Sequence, residues 1–110
     1  MTPSIKSYLQ SHHTLGTLPP GWSHTVTIIR DAVQVLQVRL TRIEIKDGVL
    51  YLQDDGTSPY SNVFKRFAKS ILQETARTCM VCGKFGIRRK EHDGKPPLCI
   101  THYATFINEA

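Results

Sequence analysis

Four side chains constrain what this chain can fold into more than any others: Cys79, Cys82, Cys99 and His102, spaced C-x2-C-x16-C-x2-H. They arrive as two tight pairs, and each pair offers two donors from one short turn. A tetrahedral zinc ion takes four such sulfur and nitrogen donors. Gly83 follows the second cysteine, where the backbone has to turn tightly and aim amide groups at the thiolates. Pro96-Pro97 closes the intervening loop and sets up a helix that starts near Cys99 and carries His102. The pattern predicts a knuckle, a short hairpin and a helix, which together form a treble-clef-like zinc finger. Three thiolates and one imidazole complete the tetrahedron and leave no position for a reacting water, so the single Zn2+ is expected to be structural.

Other uses of these cysteines fit less well. A disulfide framework wants an even cysteine count and a secreted context. This chain has three cysteines, and all three lie inside the pattern. A redox pair of the thioredoxin kind needs only Cys79 and Cys82, and leaves Cys99 and His102 without a role.

A chain of 110 residues makes one small domain, for which a bound metal contributes usefully to stability. No run of 18 apolar residues is present, and Met1–Lys6 lacks a charged segment followed by an apolar one. With reduced cysteines, these features predict a cytoplasmic protein with no membrane partner and no small-molecule substrate. The formal charge of +5 is uneven. Residues 1–60 carry five Lys/Arg against five Asp/Glu, whereas residues 61–110 carry nine against four. A one-sided positive field favours a polyanionic partner, although such charge also serves solubility alone.

Along the chain, residues 1–21 form an N-terminal segment with a short helix predicted from Ser4 to Ser11, a solvated His12-His13 pair and a loop closed by Pro19-Pro20-Gly21. Residues 22–78 form an α-β-β-α body. Trp22, Val26, Ile29, Val33 and Leu36 recur at helical spacing, with Ser23 as N-cap and Trp22 as a core anchor. The β-branched run Thr25–Ile29 also suits a strand. Val38 to Ile45 alternates with one slip near Arg42, which predicts a bulge. Asp47-Gly48 predicts a two-residue hairpin turn, and Val49–Leu52 the return strand. Asp54-Asp55 reads as turn chemistry. Ser58-Pro59 predicts the start of a second helix. Its apolar stripe is Val63, Phe64, Phe67, Ala68, Ile71, Leu72 and Thr75, and Lys65, Arg66, Lys69, Gln73 and Arg77 fall on its other face. Residues 79–110 form the finger and a terminal helix, with Phe85 and Ile87 expected beneath the hairpin. Tyr103, Phe106 and Ile107 are expected to dock the last helix on the body. The fold class is therefore α+β, a helix–β-hairpin–helix body with a C-terminal treble-clef-like zinc finger.

Three functions compete. A nucleic-acid-binding module would use Lys65, Arg66, Lys69, Lys84, Arg88, Arg89, Lys90 and Lys95 on phosphates. A protein-interaction adaptor would dock on a larger host complex through aromatic anchors such as Trp22, Tyr51 or Phe85, although core placement suits each of these better. A nuclease of the His-Asn-His type would place a catalytic histidine between the ligand pairs, where His92 stands. The sixteen residues between Cys82 and Cys99 are too few for the extra strand and helix that chemistry needs. The expectation is a non-catalytic, regulatory binding protein, with nucleic acid ahead of a protein partner.

The block Cys79-x2-Cys82-Gly83, Arg88-Arg89, Cys99-x2-His102 resembles the zinc finger of DksA/TraR-type regulators. That family has cysteine where His102 stands, and its long coiled coil is absent here, so its polymerase mechanism does not carry over. Residues 21–103 look more fully like small uncharacterised bacterial and phage proteins with an α-β-β-α body and a C-terminal CxxCG…CxxH finger. The resemblance implies a mobile-element setting, with a role as regulator or as inhibitor of a host defence system.

Overall fold

Trp22 ends a short 3-10 turn, Pro20–Trp22, and caps the first α-helix, α1 (Ser23–Leu36). Ser23 is the first helical residue and not the cap, one position off expectation. The helical spacing of the apolar residues prevails over the strand propensity of Thr25–Ile29: Ile29 and Thr25 are buried, and Val26 and Val33 pack against the core. Gln37 closes the helix in the left-handed conformation, with φ of 54°. The computed structural model describes residues 5–92 and 94–108; Met1 and Ser4, named above, lie outside them.

Strand β1 (Leu40–Lys46) pairs antiparallel with β2 (Val49–Asp54), and the register slips between Leu40 and Arg42. This is the expected bulge. Asp47 and Gly48 both have positive φ, 54° and 78°, the requirement of a two-residue turn that matches strand twist. A further contact comes from the N-terminal segment. The His13 amide donates to the Ile43 carbonyl and the Ile45 amide to that of Ser11, both at 2.9 Å, so residues 11–13 cover the open edge of β1. His13 is not merely solvated, since its Nε2 meets the Gln10 carbonyl at 2.7 Å. His12 pairs with Glu44 at 3.4 Å on the surface. The expected N-terminal helix is a 3-10 turn, Ile5–Leu9, with Ile5 buried.

Helix α2 (Ser61–Thr75) packs on β2 and α1. It starts later than Ser58-Pro59 suggests. Ser58 Oγ accepts from the Tyr60 amide at 3.0 Å and donates to the Leu36 carbonyl at 2.6 Å, so it ties the turn to the end of α1. Phe64, Ile71 and Thr75 are buried, whereas Val63, assigned to the same stripe, is exposed. Thr75 Oγ1 accepts from the Leu50 amide at 3.0 Å, which satisfies a donor on the outer side of β2. Beyond α2 come β3 (Ile87–Arg88), antiparallel to β4 (Pro97–Leu98), and α3 (Ile100–Ile107). The described chain is thus mixed helix and strand, with three α-helices, two small antiparallel sheets and a cysteine/histidine cluster near its C-terminal end. Among the described residues no helix is long and apolar enough to cross a membrane.

One apolar cluster runs through both halves. Trp22, Ile29 and Leu50 from the body bury together with Cys79, Met80 and Leu98 from the C-terminal segment, and Phe106 of α3 joins them. The expectation that Phe85 and Ile87 lie beneath the β3–β4 hairpin is wrong: they are 69% and 53% exposed. The reason is Gly86 between them, which is buried. A Cβ there would crowd the Cys79 and Leu98 amide nitrogens at 2.9 and 3.0 Å. Side chains alternate along an extended segment, so an inward Gly86 turns both neighbours outward.

Candidate metal centre

The first pair of ligands sits on a backbone knuckle. The Cys79 amide donates to the Lys84 carbonyl at 2.7 Å, the Gly83 amide to the Cys79 carbonyl at 2.9 Å, and the Gly86 amide to the Arg77 carbonyl at 2.8 Å. This narrow turn reverses the chain within the six residues from Cys79 to Lys84 and needs Gly83 at φ of 80°. The second pair sits at the start of α3. Cys99 is its N-cap and His102 lies within its first turn, so both donors project from one end of one helix. The Met80 amide donates to the Pro97 carbonyl at 3.0 Å, which fastens the knuckle to β4 and brings the pairs together.

The result is a tight four-donor group. Three sulfur atoms and a His102 ring nitrogen all lie within 4.8 Å of one another. Cys82 and Cys99 sulfurs are 3.7 Å apart, and His102 Nδ1 lies 3.6 Å from the Cys79 sulfur and 3.2 Å from that of Cys99. Metal–sulfur bonds of about 2.3 Å and metal–nitrogen bonds of about 2.0 Å put tetrahedral edges at about 3.8 Å for S···S and about 3.5 Å for S···N. Two of the separations match those edges and the third is somewhat shorter. The donor set and its size are compatible with one metal ion. Cys79 is buried, Cys99 is half-buried and Cys82 is exposed.

The thiols differ in acidity. Burial pushes the Cys99 thiol up, but the His102 backbone amide and hydrogen bonds with Cys82, His102 and Cys79 outweigh it and hold it down at about 6. Desolvation raises the Cys82 thiol against the pull of the Lys84 amide, and contact with the Cys79 and Cys99 sulfurs raises it further. Cys99 is therefore the readiest anion of the two.

Residues outside the ligand motif clamp this centre. The Gly21 amide donates to the Met80 carbonyl at 2.8 Å. Trp22, fully buried, donates from Nε1 to the Thr78 carbonyl at 3.0 Å. A Cβ on Gly21 would overlap the Cys79 carbonyl oxygen. A Cβ on Gly48 would likewise overlap the Lys95 carbonyl oxygen, so the body hairpin rests on the loop before β4. Sequence reasoning missed these contacts. Gly21 and Gly48 stand at turn positions, where glycine needs no tertiary explanation.

The eight candidate nucleic-acid cations separate into two groups. Lys65, Arg66, Lys69, Lys84 and Lys90 are exposed, and Arg88 is half-buried in β3. Arg89 is committed internally: its guanidinium lies 3.7 Å over the Tyr103 ring and donates to the Ile87 and Leu98 carbonyls at 3.2 and 3.1 Å. Lys95 faces Asp47 at 3.9 Å and takes a left-handed φ of 42°. His92 is also structural in its contacts. Its Nε2 meets the Tyr103 hydroxyl at 2.7 Å, and its ring packs edge-on to Tyr103 and Phe106. Arg77, placed on the polar face of α2 but not among the eight, lines a surface groove of about 630 Å³ with Gln73, Arg88, Phe85 and Ile87.

Comparison with protein-family models, with curated proteins and with solved structures returns no match for this chain.

Proposed function

We propose that the chain is a zinc-organised, non-catalytic binding protein whose ligand is nucleic acid. Zn2+ is the natural occupant of three thiolates and an imidazole at tetrahedral spacing, and four protein donors leave it no open position for chemistry. The order knuckle, hairpin, helix supports a treble-clef-like finger. Held by Cys79, Cys82, Cys99 and His102, the ion would supply folding energy and no reactivity.

The observation that carries the binding reading is a continuous stripe. Lys65, Lys69 and Gln73 follow one another at four-residue steps on the exposed side of α2, a row that drifts by about 40° per step and leads to Arg77 just past the helix end. Gln73 and Arg77 at its end line the same groove as Arg88 of β3. Arg77, just past α2, and Arg88 of the hairpin border one groove, and Lys65 and Lys69 lie on the row that leads to it, an arrangement that supports contact with a phosphate backbone. Among the described residues, Lys65, Lys69, Arg77 and Arg88 make no ion pair that would neutralise them.

The test is binding of labelled DNA and RNA across a salt series. Affinity should fall steeply with salt, and a Lys65→Glu/Lys69→Glu variant should lose most of it while keeping its metal and its melting temperature. No binding at low salt to any nucleic acid would reject the reading. A second reading, an adaptor docked on a host protein complex, is favoured by the exposure of Phe85 and of Ile100, 74% accessible at the start of α3. A partner recovered by pull-down after nuclease treatment would favour it.

A further inference from the structure

Phe85 and Ile87 line two grooves at once. One, of about 630 Å³, lies toward α2 and contains Gln73, Arg77 and Arg88. The other, of about 560 Å³, lies toward α3 and joins Lys84, Arg89 and Thr101 to the candidate metal donors Cys82, Cys99 and His102. The two side chains therefore form an apolar ridge with a groove on each flank. Each groove holds cations and no carboxylate lines either; the Cys82 and Cys99 sulfurs line the second, so the first is the more cationic of the two. The ridge is built in, because the inward glycine at 86 fixes the outward aim of its neighbours.

Building on the nucleic-acid reading, we propose that the ligand is single-stranded, with Phe85 as the platform on which an unpaired base stacks. A duplex presents phosphates and sugars to a convex surface and keeps its bases inside. Against it, Phe85 and Ile87 would strip water from charged oxygens without a return. A single strand offers a free base face to the ring while its flanking phosphates reach cations in the grooves, which is how sequence-tolerant single-strand binders are built. Arg77, Arg88 and Lys84 are placed for those phosphates. Arg89 is held on Tyr103 and shapes the second groove.

The experiment compares a labelled oligothymidylate, an oligouridylate and a duplex of equal length, at low salt, against the metal-loaded protein and its Phe85→Ala, Phe85→Leu and Phe85→Tyr variants. Phe85 is exposed, so these variants should fold and keep their metal. The single strands should bind at least about tenfold tighter than the duplex. Phe85→Ala and Phe85→Leu should each weaken single-strand binding by about 5- to 150-fold, the range spanned by one stacked base, and Phe85→Tyr should retain it. The salt dependence should stay unchanged in all three, because no charge is removed. Equal binding of duplex and single strand, or full affinity in Phe85→Leu, would overturn the inference and leave the nucleic-acid reading standing. No binding of any form would overturn both. Capture of a protein partner through Phe85, with no oligonucleotide bound, would do the same in favour of an adaptor.

Discussion

Trp22 Nε1 donates to the carbonyl oxygen of Thr78, the residue immediately before the first ligand cysteine. The first helix of the body and the knuckle are thereby joined through one buried side chain. Trp22→Phe keeps an aromatic ring but loses this donor and leaves space where the indole stood. A lost hydrogen bond of about 1 kcal/mol and a partial cavity together give an expected destabilisation of about 2–4 kcal/mol. Urea unfolding of the metal-loaded protein, followed by far-UV circular dichroism, measures it.

Gly21 lies directly against the knuckle, and any side chain there displaces the Cys79 backbone. Gly21→Ala should therefore cost both stability and metal retention, with a loss of at least about 2 kcal/mol. Gly16, with only Thr14 Oγ1 near its Cβ position at 3.8 Å, supplies the control: Gly16→Ala should stay within about 0.5 kcal/mol. Competition against a chromophoric chelator reads metal retention in both variants.

Purified protein should carry one zinc per chain, and its melting temperature should fall sharply on chelation. Metal loading should also be linked to pH. The Cys99 thiol, held at about 6, is ionised at neutral pH before metal arrives, whereas the raised Cys82 thiol is not. Loading must expel the Cys82 proton, so affinity rises with pH through the neutral range. As pH falls through about 6, Cys99 takes up a proton as well and the loss of affinity steepens. The depressed Cys99 value has the same sign for the metal-free fold: its stabilising contribution is full above the ordinary thiol range and is gone once pH falls through about 6. Calorimetry in buffers of different ionisation enthalpy counts the released protons.

Arg89 and Lys90 are adjacent cations with different fates. Arg89 stacks on Tyr103 and donates to two carbonyls across the β3–β4 hairpin. Arg89→Ala should lower stability by about 1–3 kcal/mol, and Arg89→Lys should not restore it, because an ammonium lacks the planar fork. Lys90→Ala, on the exposed turn, should change stability by less than about 0.5 kcal/mol. Thermal melts of the two variants side by side decide between them.

Much of this fold was legible because local chemistry and long-range packing agree. The Asp47-Gly48 hairpin needs two positive φ angles whatever surrounds it, and the slip at Arg42 appears as a break in alternation. The cluster of four candidate donors was legible for a similar reason, since a C-x2-C pair presents its sulfurs from a turn that its own residues define. What escaped is what depends on remote partners. Ser58 looks like a helix cap, but the Leu36 carbonyl takes its hydroxyl and the helix starts at Ser61. Residues 11–13 have no strand pattern and are extended because β1 has an edge to cover. Phe85 and Ile87 look like core residues by hydrophobicity alone; the glycine between them carried the opposite signal. Arg89 and Lys90 are indistinguishable by charge, and only the position of Tyr103 separates them.

The bond from Trp22 to Thr78 spans 56 positions of sequence. During synthesis the indole emerges long before the carbonyl it will grip, and so does Gly21 before the Met80 backbone it lies against. Until then a large apolar side chain at the start of the early helix lacks the part of its cover that Cys79, Met80 and Leu98 supply. The turns that carry the cysteine/histidine cluster, for their part, are the later half of this pair to appear. Final closure of the molecule is therefore a late event in its biogenesis, and the waiting intermediate is the form in which it is most vulnerable to proteolysis and aggregation.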